Sequence, residues 1–208
     1  MEYLVTMTTH VPQGTSVAAV DEIRAREAIR AGELACIGNL LRLWRPPLAP
    51  GEWRTIGLFA ADNETELETV MRSMPLRVWR TDEAIALEPH PNDPQRVVGP
   101  DAWNANSQEF LTRFVLSAPG GADLEHERAH EAERARELAD EGHLLRLWRS
   151  GAPPNGSVTY GLWRARNTDE LTSIVDMLPL RPWLAVETTP LAPHPSDPAF
   201  QRDSRSAR

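Results

Sequence analysis

Apolar and polar residues alternate in short stretches that read as strands, and two of these open successive halves of the chain: Tyr3–Met7 and Phe110–Leu116. Each is followed by turn residues, Pro12 and Gly14 in one half and Pro119, Gly120 and Gly121 in the other, and then by a long run of helical periodicity. Gly38 and Gly142 end these helices at the position where glycine commonly caps one. Strands follow at Leu40–Arg45 and Thr55–Ala60, and again at Leu144–Arg149 and Thr159–Ala165, with a Pro/Gly loop inside each pair. Asn63 with Glu66, and Asn167 with Glu170, predict a second helix whose asparagine side chain caps the start while the acid reaches back. Leu67, Val70, Met71 and Met74 give that helix one apolar face, as do Leu171, Ile174, Val175 and Leu178 in the other half. A fourth strand, Val78–Leu87 or Trp183–Leu191, closes each half.

The element order is therefore β-α-β-β-α-β twice, the split pattern of ferredoxin-like α+β folds. The halves also share wording. Leu41–Arg45 recurs at Leu145–Arg149, Met74-Pro75-Leu76-Arg77 as Leu178-Pro179-Leu180-Arg181, and His90-Pro91-Asn92-Asp93-Pro94 as His194-Pro195-Ser196-Asp197-Pro198, each 104 positions on (44 to 148, 75 to 179, 90 to 194). A spacing this long is a domain, not a solenoid unit of about 20–50 residues. The expected organisation is repeat 1 over residues 1–98, a linker at 99–107, repeat 2 over 108–200 and a frayed tail at 201–208. Helices on one face of each antiparallel sheet leave the other face bare, so the two sheets are expected to pack on one another as a dimeric α+β barrel within one chain.

Composition narrows the function. The 208 residues carry a net charge of −8 with the basic residues interspersed among acids, which argues against a nucleic-acid partner. All 22 basic residues are arginine, so lysine Schiff-base and lysine acid/base chemistry are excluded. Cys36 is the one cysteine, so no intramolecular disulfide can form, and Met1–His10 lacks the features of a secretory signal. No apolar run approaches the roughly 18–20 residues that span a bilayer. A cytoplasmic protein acting away from membranes is expected.

Candidate chemistry gathers on the first helix of each half. At about 100° per residue, Val20, Arg24, Glu27, Ala31 and Leu34 share one side, as do Leu124, Arg128, Glu131, Ala135 and Leu138. An arginine and a glutamate thus lie on the stripe that should face the core, where an ion costs several kcal/mol unless paired. Two readings stay open: Glu27 and Glu131 as pocket bases with Arg24 and Arg128 as anion clamps, or Arg–Glu pairs of purely structural use. His90 and His194, each in a rigid Pro-His-Pro-x-Asp-Pro lip, could act as acid or hydrogen-bond donor at a pocket mouth or could pin the chain to a neighbouring subunit. Trp44, Trp148, Trp79 and Trp183 are expected in the core or barrel lining, with Trp44 and Trp148 the better pocket-wall candidates, since their strands border the helix stripe. Arg42, Arg45, Arg146 and Arg149 alternate with apolar residues there, so one side of that strand must be solvated or pocket-facing. His126-Glu127-Arg128-Ala129-His130 fits the HExxH zinc signature, but its histidines fall opposite the apolar stripe, so no metal site is expected.

Taken together, Arg24, Glu27, Leu43-Trp44-Arg45, Met74-Pro75-Leu76 and His90-Pro91, with their second set at Arg128, Glu131, Leu147-Trp148-Arg149, Leu178-Pro179-Leu180 and His194-Pro195-Ser196, resemble the muconolactone Δ-isomerase family. Each half looks like one family subunit. The resemblance implies ferredoxin-like subunits that pair through their sheets in a homo-oligomer and shift a proton and a double bond in an unsaturated lactone without metal or organic cofactor. It implies Glu27 and Glu131 as the proton-shifting groups. Arg24 and Arg128 stand where well-known members carry lysine, and arginine can clamp a carboxylate but cannot shuttle a proton. The expected function is a cofactor-independent isomerase of a small lactone or carboxylate. The alternatives are another cofactor-free reaction, such as cyclisation, dehydration or oxygenation, or a ligand-binding or assembly module without turnover. Glu133, Arg136 and His143 replace Ile29, Gly32 and Asn39 in the second copy, which is expected to hold the better-formed site.

Overall fold

A computed structural model describes residues 1–95, 107–117, 122–151 and 158–199, with backbone alone at 122–125. Most of the expected linker, all of the tail at 201–208 and the side chain of Leu124 lie outside the described residues. The elements are β1 (Glu2–Thr9), α1 (Val17–Cys36), β2 (Leu40–Arg45), β3 (Arg54–Ala60), α2 (Glu64–Arg72), β4 (Arg80–Pro89), β5 (Gln108–Leu116), α3 (Ala122–Asp140), β6 (Leu144–Ser150), β7 (Val158–Ala165), α4 (Thr168–Asp176) and β8 (Leu184–Pro193). This is the α+β order expected, βαββαβ twice.

The local signals act as read. Gly38 and Gly142 sit at φ 83 and 82, the left-handed region that ends a helix without a Cβ penalty. The Asn63 side chain accepts from the Glu66 N–H at 3.0 Å, and the Glu66 carboxylate accepts from the Asp62 N–H at 2.6 Å. Asn167, Glu170 and Arg166 repeat the arrangement. The fourth strands start later than expected, at Arg80 and Leu184, because a tight turn comes first, with Pro75 or Pro182 in its opening residues: Pro75–Trp79 and Arg181–Trp183 are 3₁₀ helices.

The chain forms two compact units, and their boundaries differ from the sequential repeats. Unit 1 is Met1–Ala86 with the chain from Ala192 onward, and unit 2 is Leu87–Leu191. In unit 1 the sheet order is β4-β1-β3-β2, and the end of β8 pairs with β2 at Trp44↔Pro193 and Arg45↔Ala192. In unit 2 the order is β8-β5-β7-β6, and the end of β4 pairs with β6 at Glu88↔Arg149 and Pro89↔Trp148. Each core lies between one sheet face and its helices. Tyr3, Val5, Leu34, Leu40 and Phe59 pack with Leu67 and Met71 in unit 1, and Phe110, Phe114, Leu138, Leu144 and Trp163 with Leu171 and Val175 in unit 2.

A buried ion pair fastens each borrowed segment. Asp197 is 0 % exposed and Arg42 5 %. The Arg42 guanidinium donates to both Asp197 oxygens at 3.1–3.3 Å, and the same carboxylate accepts from the Leu43 and Ala199 N–H groups. In unit 2, Arg146 donates to Asp93 at 3.2 and 3.3 Å, and the Leu147 N–H adds a bond of 2.9 Å. The Arg42 guanidinium stands 4.8 Å over the Trp44 ring, and Arg146 stands 4.8 Å over Trp148. Two repeated motifs are thereby explained by one another: the first arginine of Leu-Arg-Leu-Trp-Arg receives the aspartate of His-Pro-x-Asp-Pro.

Removing one partner strands a buried charge, so Asp197→Ala is expected to destabilise unit 1 by about 3–5 kcal/mol. The double variant Arg42→Met/Asp197→Leu is expected to lie closer to the parent. Urea unfolding followed by tryptophan fluorescence measures both.

Candidate functional site

The site in each unit is built from the first helix upward. Glu27 leaves α1 on the face that carries Ala31 and Leu34 into the core, so its carboxylate reaches the sheet edge of that helix only partly exposed. There it meets a donor that the Met74-Pro75-Leu76 motif supplies. Pro75 opens the 3₁₀ turn, the next N–H has no partner within so short a helix, and the Leu76 N–H donates to Glu27 Oε2 at 2.8 Å. In unit 2 the Leu180 N–H donates to Glu131 Oε2 at 2.9 Å. The motif that looked like a repeat marker is the carboxylate's anchor.

Above each glutamate lies a cavity. In unit 1 it measures about 190 Å³ and is lined by Glu27, Arg24, Arg45, Arg80, Trp53 and His194, with small and apolar residues between them. In unit 2 it measures about 440 Å³, and Glu131, Arg128, Arg149 and His90 line it with Phe114 and Trp163. The structure thus brings together Glu27, Arg24 and His194 in unit 1, and Glu131, Arg128 and His90 in unit 2. Each histidine comes from the chain segment that the other repeat lends.

Both histidines are held in one tautomer. The Ser196 N–H donates to His194 Nδ1 at 3.1 Å, and the Asn92 N–H donates to His90 Nδ1 at 3.1 Å. With Nδ1 accepting, a neutral ring carries its proton on Nε2 and is a donor. Burial, then the Arg45 and Arg24 charges, push His194 down to about 4, so it stays neutral at physiological pH. Burial also lowers His90, with Arg149 assisting and Asp93 opposing.

The two glutamates share a direction of shift for one main reason. Burial raises Glu131 above the ordinary carboxylate value, and only the Leu180 N–H pulls it back. Burial raises Glu27 as well, against the Leu76 N–H and the Arg80 guanidinium. Arg80 Nη1 stands 3.0 Å from Glu27 Oε1 and is itself clasped by Asp82 at 2.6 Å through Nε. Among the described residues no cation pairs with Glu131, since Leu184 and Val186 hold the places of Arg80 and Asp82.

Several expectations need correction. Trp44 and Trp148 are each 1 % exposed and absent from both cavity walls. Period-two alternation explains it: Leu43 and Arg45 face the helices and the cavity, so Trp44 and Arg42 face away, and β6 repeats this with Leu147 and Arg149. Glu27 does not pair with Arg24 at i, i+3; its cation is Arg80, while Arg24 is exposed at the cavity mouth with its guanidinium 4.7 Å over Trp53. Arg128 is likewise exposed at its cavity. Arg80 was findable by setting the copies side by side, where Arg meets Leu184; Trp53 stands in a loop that no periodicity reads. His126, Glu127 and His130 bring ligand atoms within 4.8 Å of one another on the outer face of α3, with both histidines exposed.

The family model described as muconolactone delta-isomerase matches residues 1–93 and again 109–197. Muconolactone Delta-isomerase of Acinetobacter baylyi is 27% identical over 92 residues, 44% of this chain and 93% of its own length. The enzyme of that name from Cupriavidus pinatubonensis is 30% identical over 92 residues, 44% of this chain and 97% of its own. A solved heme-binding protein from Thermus thermophilus shares the fold with a TM-score of 0.57 at 12% identity, covering 98% of this chain and 95% of its own. Among the described residues no helix is long and apolar enough to cross a membrane.

The Nδ1 contacts make a spectroscopic prediction. His194 is expected to remain neutral with its proton on Nε2 as pH falls to about 5, and to protonate near 4. Nitrogen-15 NMR of the imidazoles measures both.

Proposed function

Because the chain belongs to the muconolactone Δ-isomerase family, a family of isomerases, we propose that it shifts a proton and a double bond in a small unsaturated lactone bearing a carboxylate, with glutamate as the base and arginine as the anion clamp. The observation that carries this reading is Glu131 in its cavity of about 440 Å³. Its Oε2 is fixed by the Leu180 N–H, and its Oε1 takes no hydrogen bond from the described residues. A half-buried carboxylate with one oxygen held and the other open is positioned for proton transfer and is more basic than one in water.

The reaction then follows from the parts. Arg128 at the cavity holds the substrate carboxylate, since guanidinium geometry suits a carboxylate pair of oxygens. Glu131 takes the proton γ to the lactone carbonyl, from the ring carbon next to the double bond, and the electron pair left behind spreads into a dienolate. The Nε2–H of His90 faces the negative charge that develops on oxygen. Glu131, now a carboxylic acid, returns its proton at the carbon α to the carbonyl, and the double bond moves from the α,β to the β,γ position. One carboxyl group serves both transfers, so the lysine missing from this chain is not needed.

Muconolactone incubated with the protein and followed by product absorbance tests this. Turnover is expected, and Glu27→Gln/Glu131→Gln is expected to lose it by about 100-fold or more. Because the base acts as its anion and its pKa is raised, kcat/KM should fall with falling pH through a value above the ordinary 4.5. Absence of turnover with muconolactone and related unsaturated lactone acids overturns the reading.

A further inference from the structure

Setting the two units side by side, position by position, reveals three exchanges of charge at the sites. Arg80 and Asp82 of unit 1 are Leu184 and Val186 in unit 2. Glu88, which faces Arg149 across β4 and β6 and stands 3.5 Å from it, is Ala192 at the equivalent place facing Arg45. The consequences run in opposite directions. In unit 1 both oxygens of the glutamate are occupied, Oε1 by Arg80 and Oε2 by the Leu76 N–H. In unit 2 one oxygen is open. Conversely, no carboxylate among the described residues pairs with Arg24 or Arg45 of unit 1, while Glu88 already engages Arg149 of unit 2.

We infer that the cavity of unit 1 is a carboxylate-binding site that does not turn its ligand over, and that unit 2 alone carries the reaction. The choice of ligand, the small lactone carboxylate, rests on the isomerase reading above. The geometry fits that division. Arg24 is braced by Trp53, and Arg45 is the last residue of β2, so two guanidinium groups and the Nε2–H of His194 converge on one cavity. Thr9 and Ser196 add hydroxyl groups where unit 2 has Leu116 and Asn92. A carboxylate entering there finds donors from three elements, and the group that would remove a proton from it is tied to a guanidinium only 3 % exposed. At about 190 Å³ the space suits a small acid better than the looser, more apolar hollow of unit 2.

Equilibrium dialysis with the saturated lactone acid, muconolactone with its ring double bond reduced, separates the roles because this probe has no double bond to shift. The parent is expected to bind two per chain, and Arg24→Ala/Arg45→Ala one; both arginines are exposed, so the fold tolerates their loss. Glu131→Gln is expected to lose turnover by about 100-fold while still binding two. Arg80→Leu/Asp82→Val, which installs the unit 2 residues, is expected to restore at least about tenfold of turnover to Glu131→Gln by releasing Glu27. Half of the parent turnover surviving in Glu131→Gln would overturn the inference, as would two probes bound by Arg24→Ala/Arg45→Ala or no gain from the Arg80→Leu/Asp82→Val pair in a folded protein. A parent that turns over no lactone yet loses one bound probe with the arginine variant would sink the isomerase reading and leave the unit 1 carboxylate site standing.

Discussion

Everything at the two sites depends on a carboxylate and a guanidinium meeting out of water. Asp197 is fully buried against Arg42, and Asp93 against Arg146. Such a pair gains little net stability over a well-packed apolar contact, because desolvating two ions offsets most of their attraction. What it supplies is position. A bidentate guanidinium with an added backbone N–H admits one placement of the aspartate, and the aspartate fixes a turn in which its own N–H donates to the histidine carbonyl three residues earlier at 2.8 Å. The histidine N–H in turn extends the sheet, donating to the Leu43 or Leu147 carbonyl. From the buried pair outward, every step is a directional bond, so the imidazole reaches the cavity with its tautomer already set.

This accounts for the exchange of segments between the repeats. A small sheet-and-helix domain buries a modest share of its surface and gains from any added strand. Pairing of Trp44 with Pro193 and of Trp148 with Pro89 adds that strand, and the prolines fall at strand ends where the missing N–H costs least. The compact units therefore do not coincide with the sequence copies. A repeat cut out at its sequence boundary would lack the histidine of its own cavity.

Much of the fold was legible because its signals are local. Gly38, Gly142, Asn63 and Asn167 each act within a few residues, and the strand runs alternate cleanly. Glu27 and Glu131 were legible for a related reason: a charged residue on an apolar stripe stands out against the period of its own helix. The rest was not local. Trp44 reads as a cavity-wall candidate because its strand borders the helix, yet a shift of one residue along a strand reverses the face, and only Leu43 packing in the core fixes the phase. Arg80 approaches Glu27 across 53 positions of sequence, and the Leu76 N–H across 49. No window of sequence reports such a meeting. The one route to it was the internal duplication, where Arg80 against Leu184 is a change of charge at a place the fold keeps buried or half-buried.

That duplication also separates what the architecture demands from what chemistry demands. The two units agree at the positions that place groups: the paired Arg and Asp, the proline that frees a leucine N–H, the Nδ1 contact that sets the imidazole. They disagree at the positions that decide whether a charge is answered: Arg80 against Leu184, Asp82 against Val186, Ala192 against Glu88. A change of the first kind would strand a buried ion or misplace a strand, and its cost falls on folding itself. A change of the second kind leaves the scaffold intact and moves only the balance of charge in one cavity. With two cavities on one chain, the charge balance of either can change while the other keeps its own, and the exchanges have that pattern: one carboxylate with an oxygen left open beneath an arginine engaged by Glu88, and two arginines with no carboxylate partner among the described residues above an engaged carboxylate.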